Sequence, residues 1–179
     1  MIRGCLLFCL GIAVFIYPGR LGSIAYAQTD PVVRDAPTER NKALVRRWIE
    51  EGFNKGSLTV VDELFAERFA VNGHVIGREG LKQSMTRHLR GFPDLHVTID
   101  EIIGEGSKVG IWYTVEGTHR GEFEAIPATD KQVKWFGFDL LSIENGKIAE
   151  GRFVSDLFGL LKQLGATVSP TRPPGGARS

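Results

Sequence analysis

Hydrophobic residues in this chain repeat at a helical spacing as far as residue 91 and at a strand spacing from residue 95 onward. Apolar residues three or four apart share one side of a helix, whereas apolar residues two apart share one side of a strand. The first pattern predicts a helix over 39–55 with Thr38 as its N-cap, a short helix after Ser57, and a third helix over 77–91. The second pattern predicts four strands. Helices followed by strands indicate an α+β fold.

The strand region is divided by turn signals. Asn145-Gly146 favours a type I′ hairpin turn, because both central residues of that turn need a positive φ. The predicted strands form an antiparallel meander, followed by a helix that Asp156 caps and Gly165 ends. The predicted strands lie around 95–103, 109–117, 131–142 and 148–155, and the long loop covers 121–130.

The strand at 131–142 is apolar on both faces, whereas a strand in a sheet with one solvent-exposed face would alternate apolar and polar residues. Trp135 and Leu141 lie on one face, and Phe136, Phe138 and Leu140 lie on the other. The helices can cover one face. We expect a second copy of the protein to cover the other, which predicts a homodimer.

The first 27 residues have the features of a secretory signal peptide. A thirteen-residue uncharged run from Cys5 to Tyr17 precedes Ala25-Tyr26-Ala27, a small-x-small cleavage site. The run is shorter than the roughly 20 apolar residues that span a bilayer, which disfavours a membrane anchor. We therefore expect a secreted or periplasmic protein, free of the membrane after cleavage. The predicted organisation is a signal peptide at 1–27, a leader at 28–38, a domain at 39–165 and a disordered tail at 166–179.

Composition and motifs exclude several classes of protein. The formal net charge is +1, so there is no basic excess to bind nucleic acid. Both cysteines lie in the signal segment, and no two histidines have metal-ligand spacing, so no metal site is predicted. G-x-S-x-G, P-loop and G-x-G-x-x-G motifs are also absent from the sequence.

Asp139 is a carboxylate on the apolar Trp135 face of its strand. Pairing outward from the Asn145-Gly146 turn predicts Arg152 opposite Asp139 and Glu150 opposite Leu141. Two interpretations stay open. Asp139 is either a general acid/base in a pocket, with Arg152 holding its charge or a ligand's, or one half of a surface ion pair.

The histidines also allow two interpretations. His119 ends a strand at the mouth of the long loop, where it either serves a site or stabilises a turn. His88 and His96 are interpreted as partly exposed structural residues.

Several segments together resemble the SnoaL-like polyketide cyclases, also called ester cyclases. The resemblance runs from about residue 41 to residue 165. The combination of segments is specific, and it includes Gly117-Thr118-His119-Arg120-Gly121-Glu122-Phe123, Phe92-Pro93-Asp94-Leu95, and Phe138-Asp139-Leu140-Leu141-Ser142-Ile143-Glu144-Asn145-Gly146. It implies the nuclear-transport-factor-2-like fold, in which a curved antiparallel sheet and N-terminal helices enclose a cone-shaped apolar pocket, with no metal or organic cofactor.

The resemblance also implies roles for particular residues. Asp139 matches the acid/base of an intramolecular aldol closure, and His119 matches the histidine of the family's GTHxGEF segment. With Arg152 they form the candidate catalytic set, and the candidate ligand-binding residues are Trp48, Tyr113, Trp135, Leu141 and Glu150. The favoured function is the binding of a small apolar carbonyl compound, with its cyclisation or isomerisation as the associated chemistry. Two alternatives stay open, an epoxide hydrolase using Asp139, Arg152 and Glu150, and a non-catalytic binding protein.

Overall fold

Helices precede strands along the chain, as the change of hydrophobic period predicts. The computed structural model describes residues 36–167, so the predicted signal peptide, most of the leader and most of the tail lie outside the described residues. The helices are α1 (Ala36–Arg47), a π-helix (Trp48–Asn54), α2 (Val60–Leu64), α3 (Gly77–Gly91) and α4 (Leu157–Leu164). The strands are β1 (Phe65–Val71), β2 (His74–Val75), β3 (His96–Glu105), β4 (Lys108–Thr118), β5 (Gln132–Glu144) and β6 (Lys147–Ser155). Within residues 36–167, no helix is long and apolar enough to cross a bilayer.

The six strands form one curved, open sheet in the order β2-β1-β6-β5-β4-β3. The predicted antiparallel meander is confirmed for β3 to β6. The sheet as a whole is mixed, because β1 pairs with β6 in parallel. The residues at the start of β1 continue the apolar run of α2, which hides the strand from a periodicity argument. The curved sheet and its covering helices give the α+β, nuclear-transport-factor-2-like architecture.

The first predicted helix starts earlier and changes its winding. It begins at Ala36, so Thr38 is a buried residue inside the helix and not its N-cap. From Trp48 to Asn54 the chain adopts a π-helix, whose hydrogen bonds join residues five apart. In an α-helix, residues five apart would point about 140° away from each other. The π-helix instead brings the rings of Trp48 and Phe53 to 5.8 Å, on the side that faces the sheet.

Both ends of α4 and the bounds of α3 are as predicted. Asp156 Oδ1 accepts a hydrogen bond of 2.8 Å from the Gly159 amide, and Gly165 has a φ of 100° after the last turn.

The buried core lies between the helices and the concave inner face of the sheet. Its largest fully buried members are Trp48, Phe65, Phe69, Phe92, Met85 and Ile111.

The hairpin between β5 and β6 begins as predicted and then changes register. Asn145 and Gly146 have φ values of 50° and 72°, and Glu144 pairs with Lys147. Beyond Ile143 the register shifts, because Ala149 is an extra residue that makes a β-bulge. All pairs beyond this point move by one residue.

The bulge overturns the predicted partners of two residues. Asp139 pairs with Phe153, and Arg152 pairs with Leu140 on the other face. Glu150 pairs with Ser142 and not with Leu141. Because the side-chain period of a strand is two, a shift of one residue moves every following side chain to the opposite face.

The outer face of the sheet carries an exposed apolar patch, as the two-faced strand predicts. The rings of Trp112 and Phe136 stack at 5.1 Å with 16° between their planes, and both are more than two-fifths exposed. Phe138 and Leu140 beside them are half-buried. We call Trp112, Phe136, Phe138 and Leu140 the outer patch.

Candidate functional site

A cavity of about 240 Å³ lies between the helices and the concave face of the sheet. Its helical wall comes from the π-helix and α3, and its sheet wall from β3 to β6. Apolar and aromatic side chains predominate, with a few polar groups among them. The wall residues are Trp48, Ile49, Phe53, Leu81, Ser84, Met85, His88, Leu95, Val97, Tyr113, Val115, Trp135, Asp139, Phe153 and Ser155. The structure thus brings four of the predicted site residues together at one cavity, namely Trp48, Tyr113, Trp135 and Asp139.

Asp139 is the buried carboxyl group of this wall. Its side chain is on the inner face of β5, and the residue is only 3% exposed. Among the described residues it forms no ion pair. Tyr113 donates a hydrogen bond of 3.2 Å from its hydroxyl to Asp139 Oδ1. Burial raises the pKa of Asp139 to about 7, and the hydrogen bond from Tyr113 only partly opposes that rise. Asp139 can therefore both give and take a proton near neutral pH.

Tyr113 reaches Asp139 because Gly137 leaves it room. A Cβ atom at Gly137 would lie 2.4 Å from both Cζ and the hydroxyl oxygen of Tyr113. The ring therefore lies across the glycine that pairs with it and points its hydroxyl at the next inward residue of β5. Burial, together with the negative charge of Asp139, raises the pKa of Tyr113, so its hydroxyl stays protonated and remains a donor.

Phe153 occupies the position across from Asp139 that the sequence assigns to Arg152. A Cβ atom at Gly151 would lie 2.3 Å from Phe153 Cε1, so this ring also leans over a glycine. It stacks on Trp48 with 6.0 Å between centroids and 20° between planes. An aromatic ring thus stands where a cation is predicted, and the neighbourhood of Asp139 is apolar.

Arg152 and Glu150 lie on the outer face, outside the cavity. The Arg152 side chain is 70% exposed, and its Nε lies 3.6 Å from a carboxylate oxygen of Glu150. The structure therefore does not assemble Asp139, Arg152 and Glu150 into one site, and the carboxylate and cation set for epoxide hydrolysis is not formed. Leu141 is fully buried in the core and is not among the cavity-wall residues. The bulge at Ala149 is the physical reason for the displacement of Arg152 and Glu150.

His119 lies behind the cavity wall and not on it. It is fully buried, and its ring packs 5.3 Å from that of Phe92, which in turn contacts Trp135 at 5.2 Å. Its Nδ1 lies 3.1 Å from the hydroxyl oxygen of Thr129. Its carbonyl accepts hydrogen bonds from the amides of Thr129 and Asp130. These contacts hold the long loop against the sheet, and burial lowers the pKa of His119.

His88 belongs to the cavity wall, although the sequence favours a structural role. Its Nδ1 lies 2.9 Å from the carbonyl oxygen of Ser84, one turn earlier on α3. Burial lowers the pKa of its ring, which therefore favours the neutral form. The available signal was its spacing, because His88 follows the inward residues Leu81, Ser84 and Met85 on the same side of α3.

No three His, Cys, Asp or Glu side chains within residues 36–167 are arranged to hold a metal ion. The polar side-chain groups of the cavity wall are the hydroxyls of Ser84, Ser155 and Tyr113, the indole N–H groups of Trp48 and Trp135, the His88 imidazole and the Asp139 carboxyl. This set can exchange protons with a bound ligand and donate hydrogen bonds to it.

A cavity on the concave side of a curved sheet, covered by helices and containing a buried carboxyl, is the architecture of a protein of the nuclear-transport-factor-2-like fold. Residues 43–164 match the model of the SnoaL-like polyketide cyclase family. The chain belongs to that family. The family supports a role in cyclisation or isomerisation, or in binding a small ligand. No curated protein matches the sequence.

Solved structures resemble the chain over most of their own length. One, from Jannaschia sp. CCS1 and named as a SnoaL-like polyketide cyclase, is 23% identical with a TM-score of 0.69, over 75% of this chain and 98% of that one. TsrD from Streptomyces laurentii is 26% identical with a TM-score of 0.67, over 72% and 97%. AclR from Streptomyces galilaeus, named as a hydroxylase, is 25% identical with a TM-score of 0.66, over 75% and 87%.

Proposed function

We propose that this protein binds a small, apolar carbonyl compound and catalyses its cyclisation or isomerisation by acid/base chemistry at Asp139. The observation that carries the proposal is a carboxyl group with a pKa of about 7 on the wall of an apolar cavity. A general acid/base works best when its pKa lies near the working pH. Hydrogen atoms next to a carbonyl are acidic enough for such a group to remove them.

The cavity restricts the ligand in size and charge. Its volume of about 240 Å³ lies below the roughly 300–1,000 Å³ of typical ligand clefts. Among the described residues, neither Lys nor Arg contributes to its wall. Both observations favour a compact, uncharged compound with a predominantly hydrocarbon surface.

The test uses 2-tetralone, a neutral bicyclic ketone with acidic hydrogens beside its carbonyl group. Binding is followed by the fluorescence of Trp48 and Trp135, which line the cavity, and exchange of the acidic hydrogens in deuterium oxide is followed by NMR. We expect Asp139→Asn to keep binding and to lose about 100-fold or more of the exchange rate, because an amide cannot take the proton.

Glu150→Gln is the matched control, since it removes a carboxylate from the other face of the same sheet. It is expected to keep the full exchange rate. Full exchange in Asp139→Asn would overturn the catalytic assignment. Binding without exchange in the unmodified protein would instead establish the alternative, a non-catalytic binding protein.

We infer that the protein acts as a homodimer. The support is the outer patch, where Trp112 and Phe136 present stacked, exposed rings that a second copy can cover. The occupant is a second copy because a two-fold contact of this face with itself buries both patches at once.

The proposed site of action is outside the cytoplasm. The support is the sequence of residues 1–27, with its apolar run and its Ala25-Tyr26-Ala27 cleavage site. The intact mass of the exported protein is expected to correspond to a chain that begins at Gln28. Exported material that retains residues 1–27 would contradict the proposal.

A further inference from the structure

We propose that His88 is a second catalytic residue of the cavity, which takes the proton from the substrate carbon while the Asp139 carboxyl gives a proton to the carbonyl oxygen. The inference rests on the proposed function and divides its acid/base work between two residues. His88 approaches from the helical wall and Asp139 from the sheet wall of the same cavity.

The position of the proton on His88 follows from its hydrogen bond. A carbonyl oxygen can only accept, so the Nδ1 that lies 2.9 Å from the Ser84 carbonyl carries the hydrogen. In the neutral ring, Nε2 then has the free lone pair. Among the described residues nothing donates a hydrogen bond to His88 Nε2. The contact with Ser84 thus holds the ring in the form that can accept a proton from a ligand.

The surroundings of His88 keep that form available. Burial is the largest influence and lowers the pKa of His88, and Arg87 acts in the same direction, while the hydrogen bond to the Ser84 carbonyl and the charge of Glu124 in the loop after β4 oppose the shift without reversing it. The ring of Phe123 packs 5.1 Å from His88 on the loop side. From the π-helix the cavity receives only apolar and aromatic side chains, and from the sheet its other titratable groups are Tyr113 and Asp139.

The proton transfers balance without a further reactant. The C–H electron pair forms the C=C bond of an enol as the proton moves to His88 Nε2, and the carbonyl π pair takes the proton of Asp139. In a ring closure, the enol carbon attacks a second carbonyl of the same molecule, and the new alkoxide oxygen takes the proton from His88. The enol hydroxyl returns its proton to Asp139 as the first carbonyl re-forms. The product is an isomer of the substrate, and both residues recover their starting states.

The pH profile of the exchange rate distinguishes catalysis by His88 and Asp139 together from catalysis by Asp139 alone. With both, the rate of 2-tetralone exchange falls at low pH as His88 becomes protonated, at a pKa below the ordinary histidine value of 6.5. It also falls above about pH 7, as Asp139 loses its proton. With Asp139 acting alone as a carboxylate base, the rate would rise through about pH 7 and stay high. A bell-shaped profile is therefore expected.

The decisive variant is His88→Asn, because an asparagine amide can still donate to the Ser84 carbonyl but has no group in place of Nε2. We expect it to lose about 100-fold or more of 2-tetralone exchange at the pH optimum and to keep 2-tetralone binding. Arg90→Gln, a change at an exposed position of the same helix, is the control and is expected to retain exchange within a few-fold.

The outcomes separate this inference from the proposed function. Full exchange in His88→Asn, together with a loss in Asp139→Asn, would overturn the role of His88 and leave the proposed function standing. Full exchange in Asp139→Asn would overturn both. If His88→Asn fails to fold, the profile of the unmodified protein decides, because a rate that rises through pH 7 without falling contradicts a second proton-exchanging residue.

Discussion

Neighbouring residues of β5 and β6 meet two different environments, because alternate side chains point to opposite faces of the sheet. On the inner face, Asp139 is buried among rings and has no ion-pair partner among the described residues. On the outer face, Arg152 and Glu150 lie in solvent within 3.6 Å of each other. On the outer face, the charged side chains contact each other and water. On the inner face, burial raises the pKa of the Asp139 carboxyl, so that it can exchange a proton near neutral pH. The face on which a carboxyl lies therefore decides whether it can act as an acid or base.

The largest expected effect on stability comes from removing the inner carboxyl. The folded state holds the Asp139 proton more tightly than the unfolded state does, since the folded pKa is about 7. Asp139 therefore favours folding fully below about pH 4, and this contribution is lost as the pH rises through 7. We expect Asp139→Asn to be more stable than the unmodified protein at pH 8, by up to roughly 4 kcal/mol from the pKa shift.

Urea unfolding at pH 4 and at pH 8 measures this difference. The gain is expected to vanish near pH 4, where both versions are neutral at residue 139. Glu150→Gln on the outer face is the control and should leave the pH dependence nearly unchanged. An equal stability of Asp139→Asn and the unmodified protein at pH 8 would mean that the carboxyl is not desolvated.

The second effect comes from the glycine under Tyr113. A methyl group at Gly137 would meet the Tyr113 ring at 2.4 Å, so Gly137→Ala must push that ring away from Asp139. Overpacking of this kind costs about 1–3 kcal/mol.

Gly110→Ala is the matched change toward the outer face. There a methyl group would lie 3.2 Å from Cγ1 of Ile103 and 3.4 Å from Cζ of Phe138, and the exposed Ile103 side chain can move. We expect chemical denaturation to give a clearly larger loss of stability for Gly137→Ala than for Gly110→Ala. Equal losses would contradict the assignment of Gly137 as the residue that admits the ring.

The third effect concerns the association of two copies. Phe136→Glu places a charge in the outer patch, where it would repel the same residue of a second copy and lose water on association. We expect the dimer dissociation constant to rise at least tenfold, about 1.4 kcal/mol, when measured by sedimentation. Arg68→Glu, a change at an exposed position of β1, is the control. A monomeric unmodified protein at micromolar concentration would remove the basis of the dimer.

The smallest effect is expected at Arg152. Its ion pair with Glu150 is exposed, and such pairs contribute about 0.2–1 kcal/mol. Arg152→Gln should therefore change the free energy of unfolding by less than about 1 kcal/mol and leave 2-tetralone exchange intact. A large loss of exchange would return Arg152 to the site and contradict the observed register.

The sequence predicts the fold where local chemistry decides it. Asn145-Gly146 requires its turn, Asp156 caps its helix, and the period of two places Asp139 on the inner face together with Trp135. The bulge at Ala149 has no local sequence signal, because it depends on which side chains of β6 face inward. Ile148 and Phe153 are both required on the inner face, yet they are five residues apart, and an odd spacing on one face of a strand demands an extra residue.

Two features of the candidate site were harder to predict for a related reason. The motif around His119 fixes its position in the chain but does not show whether its ring reaches the cavity. The ring packs against Phe92, behind the cavity wall. A lone histidine on a helix has no sequence signature of its own, so the sequence does not distinguish a role of His88 in the cavity from a structural role. Its part in the cavity emerges only when α3 is placed over the sheet.

The π-helix and the bulge have a shared consequence for how the chain can change in length over evolution. Trp48 and Phe53 are five residues apart in the helical wall of the cavity, and Ile148 and Phe153 are five apart on the inner face of β6. A spacing of five does not keep two side chains on one side of a regular α-helix or strand, so each element contains one residue more than a regular element would need. Loss of one codon within either interval would leave a regular element with the same side chains on its inward side. Such deletions usually destroy a buried element, whereas here they remove an irregularity.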